Sequence, residues 1–118
     1  MGQLQSLTAG VRLTITNPAS ESTSAFGPGV AKLCLGVRDH GSLNASAKAM
    51  RMAYSKAWRI IKDTEDSLDI QLLLRDGAHG STLTDEGNQL LDAYLRIQEQ
   101  LAAEGQRLFA ACVSEPRR

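Results

Sequence analysis

The fold is decided by residues 42–62, SLNASAKAMRMAYSKAWRIIK, which the apolar spacing divides into two short helices joined by a tight turn. Ser42 follows a glycine and is suited to act as the N-cap of the first helix. The apolar residues of that helix recur at i, i+4 and i+7, and so face a core along one stripe: Leu43, Ala47 and Met50. With Met52 in the turn and a second helix over about residues 54–67, the stretch predicts a helix-turn-helix.

The second helix of this pair separates apolar from polar side chains at about 100° per residue. Its core side contains Ala57, Ile60, Ile61, Thr64 and Leu68. The opposite side contains Ser55, Arg59 and Lys62, with Lys56 on the flank. The basic residues between positions 48 and 62 are Lys48, Arg51, Lys56, Arg59 and Lys62. No acidic residue interrupts them, so this run has a local charge of +5 in a chain whose formal charge is +0.

This charge pattern predicts contact with DNA. An α-helix fits the major groove, where Arg, Lys and Ser side chains reach base edges and phosphates. The alternative is an ordinary solvated helix surface, because Lys and Arg are common on protein surfaces. The small residues of the first helix, the tight turn and the charge separation together favour DNA. Within this stretch the candidate DNA contacts are Ser42, Ser55, Lys56, Arg59 and Lys62.

Length and composition limit the remaining possibilities. A chain of 118 residues is expected to form one domain with a modest core. Its 13 basic and 13 acidic residues balance, so attraction to nucleic acid depends on charge gathered on one surface. Cys34 and Cys112 suit free thiols in a reducing cytosol, and no apolar stretch reaches the ~18 residues of a membrane helix. We therefore expect a cytoplasmic protein that uses no metal site and no cofactor.

The segments before the central stretch predict two strands and a helix. Residues 1–10 are small and polar and are expected to be flexible. Residues 11–16 alternate apolar and polar side chains, which predicts a strand, and residues 22–26 can return beside it as a hairpin. Pro28 is suited to the first position of a helix, and apolar spacing extends that helix over residues 28–40.

The segment following the second helix predicts an acidic helix end and a β-hairpin. Four carboxylates occur within residues 63–69, and a solvated helix end is favoured over a metal site because no His or Cys joins them. Strand candidates at residues 72–75 and 81–83 flank a loop with an Asp-Gly pair, which is typical of a hairpin. A hairpin in this position is the wing of a winged helix, and Arg75 and His79 are candidate contacts to phosphates or a minor groove. A plain surface turn is the alternative.

The last helix is predicted over residues 84–111, with Thr84 as its N-cap and two acids in its first turn. One apolar line along it has coiled-coil-like spacing and contains Leu90, Tyr94, Ile97, Leu101 and Leu108. A second line contains Leu91, Leu95, Ala102 and Phe109. Because two lines can serve a core and a partner at once, we expect a homodimer formed through the first line. One broad core face is the alternative, and residues 112–118 are expected to be a polar tail.

Several short motifs occur together in an order that resembles a known family. They are Phe26-Gly27-Pro28-Gly29, Gly41-Ser42-Leu43, Ala47-Lys48, Met52-Ala53-Tyr54, Lys56-Ala57-Trp58, Leu83-Thr84, Gly87 and Leu90-Leu91. Over about residues 11–110 the chain resembles the N-terminal winged-helix domain of ModE-type molybdate-responsive transcriptional regulators. More distantly it resembles the LysR-type DNA-binding domain, which shares the Gly-Ser opening and the Leu-Thr-x-x-Gly stretch.

The resemblance implies a dimeric DNA-binding domain whose recognition helix begins near Tyr54. The positions at which that family meets the major groove are occupied here by Tyr54, Ser55, Lys56 and Arg59. Trp58 is implied to support the helix from its flank. Ala53 stands where a capping Ser is usual, which removes an acceptor whose loss typically costs ~1 kcal/mol. Arg51 stands where the turn usually has Gly, so a positive φ there carries strain, and the wing loop is shorter and poorer in glycine than the family's.

These expectations combine into one prediction of fold and function. The fold is mainly α with small β: a winged helix-turn-helix with an N-terminal strand or hairpin, a β-hairpin wing and a long C-terminal dimerisation helix. The expected function is sequence-specific binding of double-stranded DNA as a dimeric transcriptional regulator. The family's molybdate sites lie in C-terminal domains beyond the linking helix, where this chain ends, so no molybdate binding is expected. A winged-helix protein-interaction module that does not bind DNA is the alternative; an enzyme is not expected, because both histidines, His40 and His79, fall at predicted helix ends or turns.

Overall fold

The computed structural model describes residues 2–76 and 80–114. A 3₁₀ helix (Gln3–Ser6) precedes the helices α1 (Pro28–His40), α2 (Leu43–Ala49) and α3 (Tyr54–Leu68), the strands β1 (Leu73–Asp76) and β2 (Gly80–Leu83), and the helix α4 (Asp85–Ser114). Three helices, an antiparallel hairpin and a long last helix confirm the predicted mainly α winged-helix architecture. Within the two described ranges, no helix combines the length and the apolarity needed to cross a membrane.

Helices α1 and α2 pack closely because a glycine and a serine meet between them. Ser46 of α2 is buried, and its hydroxyl donates a hydrogen bond to Leu33 O of α1 at 2.7 Å. A Cβ on Gly36 of α1 would lie 2.1 Å from Ser46 Oγ, so a larger residue at that position would force the two helices apart. The sequence pattern predicted both helices but not the polar contact that sets their separation.

The turn between α2 and α3 contains two residues, Arg51 and Ala53, that differ from the pattern of the family that the sequence resembles. The predicted consequence of each difference is confirmed. Arg51 adopts a φ of 56°, in the left-handed region that costs a residue with a Cβ roughly 1–2 kcal/mol. Met52 N–H donates to Ala47 O at 2.9 Å and closes the turn. Ala53 is the N-cap of α3, and no side-chain hydrogen bond caps that end of the helix.

The core lies where the four helices and the start of β1 meet. Its largest fully buried apolar side chains are Phe26, Leu33, Leu43, Ile61, Leu72 and Leu91. The Phe26 ring meets Tyr94 of α4 edge-on, with ring centroids 5.3 Å apart and planes at 67°. Cys34 is also buried here, and removal from water raises the pKa of its thiol to about 12. This thiol is therefore protonated at neutral pH.

Glu65 joins α3 to the hairpin, which corrects the prediction that the acidic end of the helix is wholly solvated. Its side chain is only 10% exposed. Its Oε2 accepts the backbone N–H of Leu72 at 2.7 Å and that of Leu73 at 3.2 Å, at the point where β1 begins. β1 and β2 pair antiparallel, with Leu73 opposite Leu83. The carboxylates of the same run that are exposed, as expected, are Asp63, Asp66 and Asp69.

The prediction of an N-terminal hairpin over residues 11–16 and 22–26 is wrong. Within the described residues, the segment before α1 contains one antiparallel bridge, between Ile15 and Phe26, and no strand. The two backbone N–H···O distances of that bridge are 2.9 and 2.8 Å. Residues 3–6, within the segment predicted to be flexible, form the 3₁₀ helix and contact α4.

Side chains of α4 take the place of a strand partner for the N-terminal segment. Gln98 Oε1 accepts the N–H of Leu13 at 2.9 Å, and Gln98 Nε2 donates to Val11 O at 2.6 Å. Tyr94 Oη donates to Leu13 O at 2.9 Å. The alternation at residues 11–16 therefore reflects an extended segment that is held by a helix, and we call residues 9–15 the N-terminal strap.

Candidate nucleic-acid interface

The basic side chains of the helix-turn-helix all lie on its exposed surface. Lys48, Arg51, Lys56, Arg59 and Lys62 are each classed as exposed. The buried residues of α3 are Ala57, Ile61, Thr64 and Ser67. The helix thus separates its side chains as the sequence predicted, with Ser67 as a buried residue that the pattern missed. Lys62 also lies near a carboxylate, with 3.9 Å between its Nζ and Glu65 Oε1.

The first turn of α3 presents polar groups to solvent. Tyr54 is 42% exposed and Ser55 is exposed. Because Ala53 supplies no capping side chain, the first N–H groups of α3 have no acceptor from it. A helix N-terminus carries partial positive charge and favours an anion such as a phosphate. The start of α3 therefore combines donor groups with the cationic side chains of the next turn.

Ser42, which the sequence predicted as a candidate DNA contact, also has a structural role. Its Oγ accepts the N–H of Ala45 at 3.0 Å and so caps α2, as its position after a glycine predicted. The side chain is half-buried. A contact from Ser42 to an external group would therefore have to coexist with this capping hydrogen bond.

Of the two candidate DNA contacts in the wing, Arg75 lies within the described residues and His79 does not. The guanidinium carbon of Arg75 in β1 lies 4.8 Å from the centroid of the Trp58 ring, so this exposed arginine stacks on α3. Trp58 is half-buried on the flank of α3, where the resemblance implied a supporting role, and its ring meets Tyr54 edge-on with centroids 6.3 Å apart.

A pocket between α3 and the hairpin was not recognised from the sequence. It has a volume of about 460 Å³ and is lined by Trp58, Lys62, Glu65, Gln71, Leu73 and Arg75. The indole Nε1 of Trp58 is buried and has no hydrogen-bond partner. Trp58, Lys62 and Glu65 are spaced i, i+4 and i+7, so their spacing could have indicated one face of α3. The contribution of the hairpin depends on tertiary packing.

The candidate dimerisation residues of α4 divide into exposed and core positions. Ile97, Leu101 and Leu108 are 42%, 36% and 48% exposed. Leu90 is half-buried against the core. Tyr94 is only 3% exposed, because it packs on Phe26 and holds the strap, so its assignment to a dimer contact is corrected.

Helix α4 starts where the sequence predicted and extends slightly further. Thr84 Oγ1 accepts the N–H of Gly87 at 2.9 Å, which confirms Thr84 as the cap. The helix ends at Ser114, whereas the sequence predicted an end near residue 111. A helix of 30 residues is about 45 Å long, so much of α4 projects beyond the core.

Comparisons with known proteins agree with this geometry. Residues 31–88 match the family model described as bacterial regulatory helix-turn-helix protein, lysR family. Among solved structures, the chain is similar to the crystal structure of the CbnR_DBD–DNA complex, with 29% sequence identity and a TM-score of 0.59. That alignment covers 70% of this chain and 93% of that chain. No curated protein sequence matches the chain significantly.

The matched residues extend from α1 through the hairpin into the first turn of α4, so they include every element of the helix-turn-helix and the wing. The more distant of the two resemblances drawn from the sequence is thereby confirmed, whereas the resemblance to ModE-type regulators stays a prediction. Residues 31–88 of this chain are thus similar to a LysR-type helix-turn-helix DNA-binding domain, and they lie within a winged-helix fold.

Proposed function

We propose that this chain is a transcription regulator that binds double-stranded DNA in a sequence-specific manner, with α3 in the major groove. The observation that carries the proposal is the exposed basic surface of the helix-turn-helix, five cations without an acidic residue between positions 48 and 62, in a LysR-type domain. The solved neighbour, whose title names a DNA complex, supports the same function.

Separate groups on α3 are assigned to bases and to phosphates. Lys56 lies in the first turn of the helix and Arg59 in the second. We assign both to bases, because an arginine can bind a guanine through two hydrogen bonds in the major groove. Tyr54 and Ser55 lie at the helix start, beside N–H groups suited to a phosphate. Lys62 lies on the side of α3 that faces the hairpin, and Arg75 lies in β1 of the hairpin. We assign both, together with His79, to the DNA backbone.

We further propose that the regulator acts as a homodimer through α4. Ile97, Leu101 and Leu108 fall within about 40° of one another around the helix, so they form one exposed apolar stripe. Leu90 lies on the same stripe nearer the core. A twofold dimer would present two α3 helices to half-sites about 34–36 Å apart, or a multiple of that distance, on a roughly palindromic operator. Cytoplasmic location and independence from molybdate or another cofactor belong to the same proposal.

Selection of bound duplexes from a random DNA pool, followed by fluorescence anisotropy, tests this function. We expect Arg59→Ala and Lys56→Ala each to weaken binding of the selected duplex by about 1–3 kcal/mol if the lost contact is to a base. Lys32→Ala, which removes an exposed lysine from α1, is the matched control and should leave affinity unchanged. Wild-type affinity in both α3 variants, with the fold retained, would reject the assignment of α3.

A salt titration distinguishes DNA binding from the alternative of a protein-interaction module, which the neutral overall charge favours. Each phosphate contact contributes roughly −0.9 to the slope of log affinity against log salt concentration. We expect a slope of several units for the selected duplex. An absence of salt-dependent binding to any duplex would favour the interaction module.

A further inference from the structure

The pocket between α3 and the hairpin brings Trp58, a hydrogen-bond donor that the proposed DNA contacts do not include, together with Lys62 and Arg75, which they do include. Lys62 and Arg75 contribute positive charge from opposite sides, Lys62 from the helix and Arg75 from β1. Trp58 also lines the pocket, and Arg75 stacks on its ring. The pocket adjoins the exposed basic surface of α3, because Lys62 belongs to both.

The indole N–H of Trp58 is the feature that points to a ligand. Its Nε1 is buried without a hydrogen-bond partner, and it is the one buried side-chain nitrogen or oxygen in this state among the described residues. Buried donors are normally paired, because leaving one unpaired destabilises the protein. An acceptor that arrives with a ligand would pair this N–H without any loss of an existing hydrogen bond.

The charges of the pocket favour an anion. Glu65 also lines it, but Glu65 Oε2 already accepts two backbone N–H groups and Oε1 faces Lys62. Lys62, Arg75 and Glu65 together leave a net charge of +1. Arg75 is exposed and stacks on the Trp58 ring, and such stacking is weaker than a charge-assisted hydrogen bond to a phosphate. We therefore expect Arg75 to be the side chain that moves when an anion enters.

We propose that this pocket binds one phosphate of the DNA backbone, with Trp58 Nε1–H as a neutral hydrogen-bond donor and Lys62 and Arg75 as the cationic donors. The inference rests on the proposed DNA-binding function and adds to it a donor that charge patterning alone does not reveal. Trp58 thereby has a second role besides supporting α3.

Nuclear magnetic resonance of the indole group tests the proposal directly. The chain has one tryptophan, so a ¹⁵N-labelled sample gives one indole N–H resonance. We expect this resonance to move downfield when the selected duplex binds. Inorganic phosphate is titrated separately as the free-anion probe. A shift with the duplex supports the proposal whether or not phosphate alone also produces one; a shift with phosphate alone, and none with the duplex, overturns the assignment to the DNA backbone.

Substitution of Trp58 tests the energetic contribution of the N–H. Trp58→Phe keeps an aromatic ring for Arg75 and removes the N–H, so we expect about tenfold weaker DNA binding with an unchanged salt slope. Trp58→Leu also removes the ring and should weaken binding further. Lys62→Gln should lower the salt slope by about one, whereas Lys32→Gln, the matched control on α1, should not.

The outcomes separate this inference from the proposed function. Because Trp58→Phe also removes ring atoms that pack against the core, its melting temperature is measured as well, and affinities are compared at a temperature at which both proteins are folded. Suppose that the wild-type chain binds DNA and that Arg59→Ala weakens this binding. If Trp58→Phe then has wild-type affinity, or if the indole resonance does not move, the proposal that the pocket binds a phosphate is wrong and the proposed DNA-binding function is retained. If no duplex binds in a salt-dependent manner, both proposals are wrong.

Discussion

Replacement of Glu65 by alanine should loosen the hairpin from α3, and its cost can be worked out from the structure. Two backbone N–H groups, those of Leu72 and Leu73, lose their acceptor, at 2.7 and 3.2 Å from Glu65 Oε2. Hydrogen bonds to a charged group contribute about 1.5–3 kcal/mol each, and the longer bond belongs at the low end. We therefore expect Glu65→Ala to lower the free energy of unfolding by about 3 kcal/mol in urea denaturation.

The adjacent residue provides a matched control. Asp66→Ala also removes one carboxylate from α3, but this side chain is exposed, so its effect should be within about 0.5 kcal/mol. Glu65→Gln retains one acceptor oxygen and should fall between the two variants. If Glu65→Ala destabilises the chain no more than Asp66→Ala, the inference that Glu65 anchors the start of β1 is refuted.

Two further predictions concern α4 and the cysteines. Leu101→Glu introduces a charge into the proposed dimer stripe and should raise the dimer dissociation constant by at least about 100-fold in sedimentation equilibrium. Gln100→Glu adds the same charge on another side of α4 and should leave the constant unchanged. Equal dissociation constants for the two variants would contradict the proposal that this stripe forms the dimer contact. Burial holds the pKa of Cys34 at about 12, so at pH 8 the native chain should react with a thiol reagent at Cys112 alone, and at both cysteines in denaturant. Rapid labelling of two thiols in the native chain would show that Cys34 is accessible.

The helix-turn-helix could be predicted because its determinants are local. Apolar spacing defines the core sides of α2 and α3, Ser42 and Thr84 cap their helices as predicted, and the positive φ at Arg51 follows the turn position that usually has glycine. The exposed cations follow from the same periodicity, because a residue opposite the core side of a helix faces solvent. Local patterns of this kind require no knowledge of distant contacts.

The predictions that were wrong concern residues whose contacts are made with residues far away in the sequence. Residues 11–16 have the alternation of a strand, but Gln98 and Tyr94, more than 80 positions later, provide their hydrogen bonds from a helix. The position of Tyr94 on an apolar line suggested a partner contact, whereas packing on Phe26 buries it within the chain. Periodicity gives the direction of a side chain on its own element but not the element that it will meet.

The sequence by itself determined the helix-turn-helix, the exposed basic surface of α3, and the order of the hairpin and the long last helix, because spacing, caps and charge act over a few residues. Tertiary structure alone decided the anchoring of the hairpin by Glu65, the strap along α4, and the pocket in which Trp58, Lys62 and Arg75 meet. Each of these depends on side chains from different elements, and their distances are set only when the helices pack around a common core.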